Sequence, residues 1–439
     1  MGLAIVVLIT LSISVPLRAQ TAEKIELSIG TVYRIGLDNG LTLLIKESDS
    51  PTTTIFFAVK KGSLNEKKAG TSLLTAQCLL EGTKKRSAEE IVTEIETYGG
   101  SIAASCDPHL STMCATTLSE FTNETLEIMS DCILNPKFPK EEVERKKEET
   151  LDNLDLAEDI PVLCLLTRFN EIFYKNHPYG VDIADVRKAI PSLTRKDLAK
   201  FHKEYYTSDN SVLCIVGDVN VGEVIEKTES LFAKYKRGEI SKEKIPPLPP
   251  KTKNSRFTER SSKTNSSYVI ISYDAPSMVH NEKDLAATQV LSIILGGSPN
   301  SRLFKEIRED RGLVYSVSAG YAGQIGPSAF IILFWCDPEK VEEVAFLSLE
   351  EVERIKRTGV SKKEVSEAIK LIEESTETSR QMEMVQAMEL INYEVLYQDV
   401  RFMDKQIEQI KQVTAEDVKR VANEWLGFSI SFELRPSNT

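Results

Sequence analysis

The feature that most limits what this chain can fold into is a local design that occurs twice. Leu193-Thr194-Arg195-Lys196-Asp197-Leu198 opens a helical pattern that reaches Tyr205-Tyr206 and then the apolar stretch SVLCIVGD. Val413-Thr414-Ala415-Glu416-Asp417-Val418 does the same, through Trp425-Leu426, to FSISFEL. In both copies a threonine can cap a helix whose first turn carries an aspartate, and a strand closes the unit. At 439 residues the chain exceeds one ordinary core, so the repeat is read as a duplicated domain. Between the copies, Lys234 to Ser255 reads KYKRGEISKEKIPPLPPKTKNS, where prolines and lysines replace any periodic apolar pattern. That composition predicts a semi-rigid, solvated linker.

Each half mixes strands and helices. Asn39-Gly40 sits between two alternating apolar runs, a strong hairpin signal. Thr53 to Val59 reads as a strand, and Ser87 with Glu90 forms a capping box for a helix that stops at Gly99-Gly100. Strands are expected near Ser101 to Cys106 and Leu110 to Leu118, helices near Thr122 to Leu134 and Pro139 to Ala157, and a buried strand over Ser211 to Val216. The fold class is therefore α+β: two homologous domains over residues 25–235 and 256–436, clamshell-like around a cleft and joined by a Pro-rich linker over 236–255.

A net charge of −12 would be repelled by phosphate backbones and anionic lipid surfaces, which argues against nucleic acid as a partner. Residues 1–20 carry an apolar run from Leu3 to Val15, then Pro16 and Ala19, the layout of a signal peptide. The run falls short of the roughly 20 residues of a membrane span, so the expected location is periplasmic or extracellular with no span in the mature chain. No Lys or Arg precedes the run, and left uncleaved it would act as an anchor. The seven cysteines are scattered and odd in number, a poor disulfide framework, and are read mostly as small core residues.

Four segments share a pattern: GSLNEKKAGTSLLTAQCLLEGT, FNEIFYKNHPYG, YYTSDNSVLCIVGDV and NSRLFKEIREDRGLVYSVSAGY. Together they resemble the pitrilysin/insulinase family of zinc peptidases, which includes the mitochondrial processing peptidases, and the resemblance runs from about Ile25 to Leu434. Active members carry His-x-x-Glu-His on a helix and a ligand glutamate far downstream, two imidazoles and a carboxylate holding zinc while the other glutamate activates water. Alignment on Gly70 and Gly82-Thr83 puts the ligands at Leu73, Gln77 and Asn153, the general base at Ala76, and a further family glutamate at Lys146. Leucine has no donor atom, alanine cannot accept a proton, and carboxamides are poor zinc ligands. The resemblance thus implies a degenerate site with no metal in this chain. His109, His177, His202 and His280 offer no pair at ligand spacing, and Cys106-x-x-His109 with Cys114 reads as strand, turn and strand. His177, in His-Pro-Tyr-Gly, reads as part of a turn.

In active relatives an arginine and a tyrosine of the second half hold substrate and the tetrahedral intermediate, and Arg308 and Tyr315 match that pair. The plainer reading pairs Arg308 with Glu309 or Asp310 and packs Tyr315 in a strand. Leu295-Gly296-Gly297-Ser298 lacks a phosphate-loop ending and is read as a helix stop before a new helix. The resemblance implies a non-catalytic subunit that closes a chamber on a homologous zinc-bearing subunit and contributes Arg308 and Tyr315 to peptide substrates there, with zinc in that partner. The alternative is a peptide-binding or scaffold protein without a part in proteolysis.

Overall fold

The computed structural model describes residues 21–238, 244–279 and 282–437. The leader at 1–20 and His280 lie outside the described residues.

The first half is built on a seven-stranded sheet of β1 (Thr21–Leu27), β2 (Gly30–Gly36), β3 (Thr42–Glu47), β4 (Thr52–Val59), β5 (Ser101–Cys106), β6 (Ser111–Leu118) and β7 (Ser211–Gly217), in the order β1-β2-β3-β7-β4-β6-β5. The second half has five strands, β8 (Ser255–Ser261), β9 (Ser267–Ala275), β10 (Ser316–Ala322), β11 (Ser328–Cys336) and β12 (Ile430–Pro436), in the order β10-β11-β9-β12-β8. Read from the other side, that order matches β3-β7-β4-β6-β5 strand for strand. The one parallel pairing in each set also matches, β3 with β7 and β8 with β12. β1 and β2 are the additional strands of the first half, and the strand at Thr21 starts ahead of the boundary expected at residue 25.

Local chemistry explains the elements. Gly40 takes φ +94° in the turn between β2 and β3, a conformation a β-carbon would strain. The helices Arg195–Tyr205 and Ala415–Trp425 open with the same capping box, Thr194 with Asp197 and Thr414 with Asp417, and run to β7 and β12. The hydroxyl of Thr194, with Lys68, holds the Asp197 carboxyl down to about 2.

Each sheet covers one face with its own helices and hands the other face to the opposite half. Helix Glu383–Tyr397 comes from the second half, yet its Ala387, Leu390 and Ile391 bury against Leu44, Ala58, Val212 and Cys214 of the first sheet. Helix Pro161–Phe173 comes from the first half, and Leu165, Phe169 and Phe173 bury against Ile270, Phe432 and Leu434 of the second. Each such buried side chain stabilises by roughly 2 kcal/mol, so the exchange binds the halves firmly. One charged pair lies in the first crossing. Arg34 on β2 donates two hydrogen bonds, 2.9 and 2.7 Å, to the carboxylate of Glu394, whose side chain is 1% exposed.

The described part of the linker is docked rather than solvated. Ile245 and Leu248 pack on the second core, the Pro246 carbonyl lies 2.8 Å from His177 Nε2, and Lys251 pairs with Asp274 and sits over the Phe173 ring. Its apolar residues alternate with exposed prolines, which gives an extended strip one face to bury. Ser255 already belongs to β8. Five of the cysteines are buried, Cys106 and Cys114 are half-buried, and all seven are free thiols. Among the described residues no helix is long and apolar enough to cross a membrane.

Removing one partner of a buried ion pair strands the other charge. Arg34→Leu is expected to cost about 3 kcal/mol of stability in urea unfolding, and Arg34→Leu with Glu394→Leu to recover most of that loss. Equal losses in the single and double variants would show that the pair does not anchor the crossing.

Candidate functional site

The helix Thr71–Gln77 is positioned from its N-terminal side. Gly62 passes so close to the β5–β6 turn that a β-carbon would lie 2.1 Å from the Asp107 carbonyl oxygen. Four residues on, the buried carboxylate of Glu66 accepts the N–H groups of Gly70 and Ser72, each at 2.8 Å, and the Ser72 hydroxyl at 2.7 Å. Burial pushes the Glu66 carboxyl up while those donors pull it back. The helix then runs seven residues and tightens to a 3-10 turn at Cys78–Leu80.

Leu74, Ala76, Cys78 and Leu79 enter the core, whereas Leu73, Gln77 and Leu80 stay half-buried. Leu80 still packs against the core from its edge, but Leu73 does not. A spacing of four places residues 73 and 77 together on the side away from the core.

Opposite that side runs helix Lys140–Asp159, antiparallel to it. Lys146 lies 3.3 Å from Glu81, which also pairs with Arg145, and one turn on the Thr150 hydroxyl donates to Gln77 Oε1 at 3.4 Å. The register carries Asn153 on toward Leu73, where it is exposed. Leu73, Gln77 and Asn153 therefore occupy one neighbourhood, with Ala76 behind them in the core. The donor set does not fit zinc: a methyl-terminated chain and two neutral carboxamides face a space bordered by an ammonium. Burial pulls the Lys146 amine down, but Glu149 and Glu81 hold it above its usual value, so its charge persists there.

Among the described residues no group of three or more His, Cys, Asp or Glu is placed to hold a metal ion. Cys106 receives the Ser111 hydroxyl, burial raises its thiol to about 11, and His109 turns to the hydroxyl of Tyr179. His202 bonds the Ile133 carbonyl, and burial holds it below the usual imidazole value.

In the second half, helix Glu282–Leu295 stops and helical structure resumes at Arg302. Phe304–Asp310 is wound as a π-helix, a form concentrated at functional sites. Arg308 is exposed, with its guanidinium carbon 4.9 Å from the Phe304 ring centroid, and among the described residues it pairs with neither Glu309 nor Asp310. Tyr315 precedes β10 instead of packing within a strand. It is 55% exposed and donates to Asp337 Oδ1 at 2.6 Å, which raises its phenol above the usual range. Among the described residues no hydrogen bond, ion pair or ring contact joins this pair to Gln77.

Sequence reasoning found the strand at Ser101–Cys106, and the structure places it at the end of a sheet. Of the four sheet edges, β1 carries Glu23, Lys24 and Glu26, and β8 carries Arg256, Glu259 and Arg260. β5, which packs beside helix 71–77, and β10, which follows Tyr315, carry no charge and no proline. Charges are the usual protection of an exposed edge, and an unprotected edge accepts an added extended chain. The signal in the sequence was the neutral, small-residue text SIAASC, but which strands are edges is decided by long-range pairing.

Comparison with known proteins shows the family and the fold. The family described as insulinase (peptidase family M16) matches residues 41–186, and the one described as peptidase M16 inactive domain matches residues 192–372. An uncharacterized zinc protease of Rickettsia felis is 30% identical over 64% of this chain and 68% of its own length. Another, from Streptomyces coelicolor, is 26% identical over 93% of this chain and 90% of its own. A protease structure from Helicobacter pylori superposes with a TM-score of 0.82 at 21% identity, covering 95% of this chain and 100% of that one. A peptidase M16 inactive domain from Pseudomonas fluorescens gives 0.81 at 20% identity, over 95% and 98% of the two chains.

If the missing donors alone exclude the metal, restoring them should suffice. Leu73→His, Ala76→Glu, Gln77→His and Asn153→Glu together are expected to bring about one zinc per chain by elemental analysis, against a sub-stoichiometric trace in the unaltered protein. A stoichiometric ion in the unaltered chain would overturn this reading of the site.

Proposed function

The chain belongs to the insulinase family of M16 peptidases, and from that premise we propose that it is the non-catalytic, peptide-holding subunit of a heteromeric zinc peptidase. The observation that carries this reading is a split between two sets of positions. The ligand and base positions Leu73, Ala76, Gln77 and Asn153 lack donors, while Arg308 and Tyr315 are exposed on a π-helical turn and the residue before a neutral edge strand.

A zinc-bearing homologue would supply the hydrolytic chemistry. The work assigned to this chain is binding. Arg308 presents a planar cation with several donors toward a peptide carbonyl, and the Tyr315 phenol, whose single proton goes to Asp337 here, would add one more on exchanging that partner for substrate. Neutral edges beside both positions suit an extended, unfolded peptide, whose backbone groups would complete the ladder. Nothing in such an interaction selects one residue sequence strongly, which accords with a subunit that holds substrate for a partner to cut. Export through the leader at 1–20 would place the assembly in the periplasm or outside the cell.

Co-purification from the native cells is expected to recover a homologous partner that carries zinc. In that mixed complex Arg308→Ala or Tyr315→Phe should lower peptide turnover by roughly 10- to 1,000-fold with assembly intact. Unchanged turnover in both variants would remove the role assigned to the pair. An assembly that binds peptide but contains no zinc subunit would instead favour a scaffold.

A further inference from the structure

The segment His177-Pro178-Tyr179-Gly180, read from sequence as a turn, does form one, with the Gly180 N–H donating to the His177 carbonyl at 2.9 Å. It does more than turn the chain. Tyr179 is only 7% exposed, and its hydroxyl accepts the N–H of Gly326 at 2.9 Å. The same hydroxyl is hydrogen-bonded to Nε2 of His109, 2.8 Å away. Gly326 lies in the β10–β11 turn of the second half, and His109 lies in the β5–β6 turn of the first. One oxygen atom thus joins the turn behind one neutral edge strand to the turn behind the other.

The surroundings hold that oxygen in place. Its ring meets Tyr174 and His177 at centroid distances of 5.3 and 4.7 Å. His177 accepts the Tyr179 N–H on Nδ1 at 3.1 Å, which leaves Nε2 to donate to Pro246 of the linker. The Tyr174 hydroxyl donates to the Pro327 carbonyl at 3.1 Å, beside Gly326. A β-carbon on Gly326 would lie 2.4 Å from Ile245 and 3.0 Å from the Tyr179 oxygen, so only glycine lets its N–H reach. On the other side, Asp107 fixes the β5–β6 turn by accepting the N–H groups of His109 and Leu110 at 2.6 and 2.7 Å. Glycine, edge-on and tilted aromatic contacts and an aspartate turn all converge on a single hydrogen-bond node.

We propose that Tyr179 is a latch that couples occupancy of the β5 edge to the second half, so that an extended peptide adding to β5 is registered at the β10–β11 turn. This rests on the peptide-holding reading above and adds the route by which the two neutral edges communicate. A strand added to β5 draws on the backbone of Ser101–Cys106, and any shift of that strand moves the attached turn that carries His109. Through the Tyr179 hydroxyl that movement reaches Gly326 directly.

The test is amide hydrogen exchange on the full chain, with a synthetic peptide of alternating threonine and lysine as probe, since the chain carries −12. Without peptide, Tyr179→Phe is expected to speed exchange of the Gly326 amide about fivefold, the effect of one lost hydrogen bond, with β7 unchanged. With peptide, the unaltered chain should slow at residues 101–106 and also at 323–328, and Tyr179→Phe should keep the first effect and lose the second. His109→Leu should retain the basal protection of Gly326 but likewise lose its response to peptide. Protection at 101–106 that never reaches 323–328 in the unaltered chain would overturn the latch and leave the peptide-holding reading standing. No protection at 101–106 would overturn both, and an unmoved Gly326 amide in Tyr179→Phe would overturn the latch alone.

Discussion

Everything in this molecule is placed by the exchange of one helix between the two halves. Each sheet has two apolar faces, and its own half covers only one. The other is closed by Glu383–Tyr397 in one direction and Pro161–Phe173 in the other. A half on its own would therefore expose the row Leu44, Ala58, Val212 and Cys214, or the row Ile270, Phe432 and Leu434, to water. Neither half has a reason to be stable alone, and the angle between them is set by packed cores rather than by the linker. The linker follows from this: once both helices have crossed, its prolines lie along a surface already built.

That fixed geometry makes the loss of the metal donors a local event. Helix 71–77 keeps its Glu66 anchor, its Gly70 turn at φ +84° and its core side chains, all of which belong to the packing and none to a metal. Apart from Ala76 in the core, the positions without donors lie on the side facing helix Lys140–Asp159. There, Lys146 with Glu81 and Thr150 with Gln77 tie the two helices by ordinary ionic and hydrogen bonds. A zinc ion held between two helices also joins them, and a cavity of donors without the ion would leave buried polar groups unpaired. A helix interface without those donors, tied by these contacts, avoids that penalty.

Much of this could be read from the sequence because it is local. Asn39-Gly40, the Ser87 capping box and the paired Thr194 and Thr414 caps each depend on a few neighbouring residues, and all formed where expected. The half-buried pair Leu73 and Gln77 follows from helical spacing alone. What could not be read depends on contacts far apart in the chain. The apolar stripe Leu165, Phe169 and Phe173 announces a buried face without saying which sheet receives it. Nor does the composition of the linker reveal that Ile245 and Leu248 find a core, and Arg308 turned to Phe304, four residues back, where a carboxylate neighbour was the simpler expectation. Tyr179 has the same character, its two partners lying 70 residues behind and 147 ahead.

The sheet edges carry the last step. An exposed strand with free backbone donors and acceptors invites pairing with other chains, and proteins normally charge such strands to prevent it. This chain does so at β1 and β8. Leaving β5 and β10 neutral keeps the risk of unwanted pairing at the two edges that adjoin the positions inherited from a peptidase, and the fold could have charged them as it charged the other two. A neutral edge is the kind that an extended chain can join. On the proposed reading, the absence of metal donors beside β5 would remove the means of cutting such a chain while leaving the means of holding it. In that reading binding and hydrolysis would be separable, because they would reside on different atoms: backbone groups of an edge strand for one, and side chains at positions 73, 76, 77 and 153 for the other.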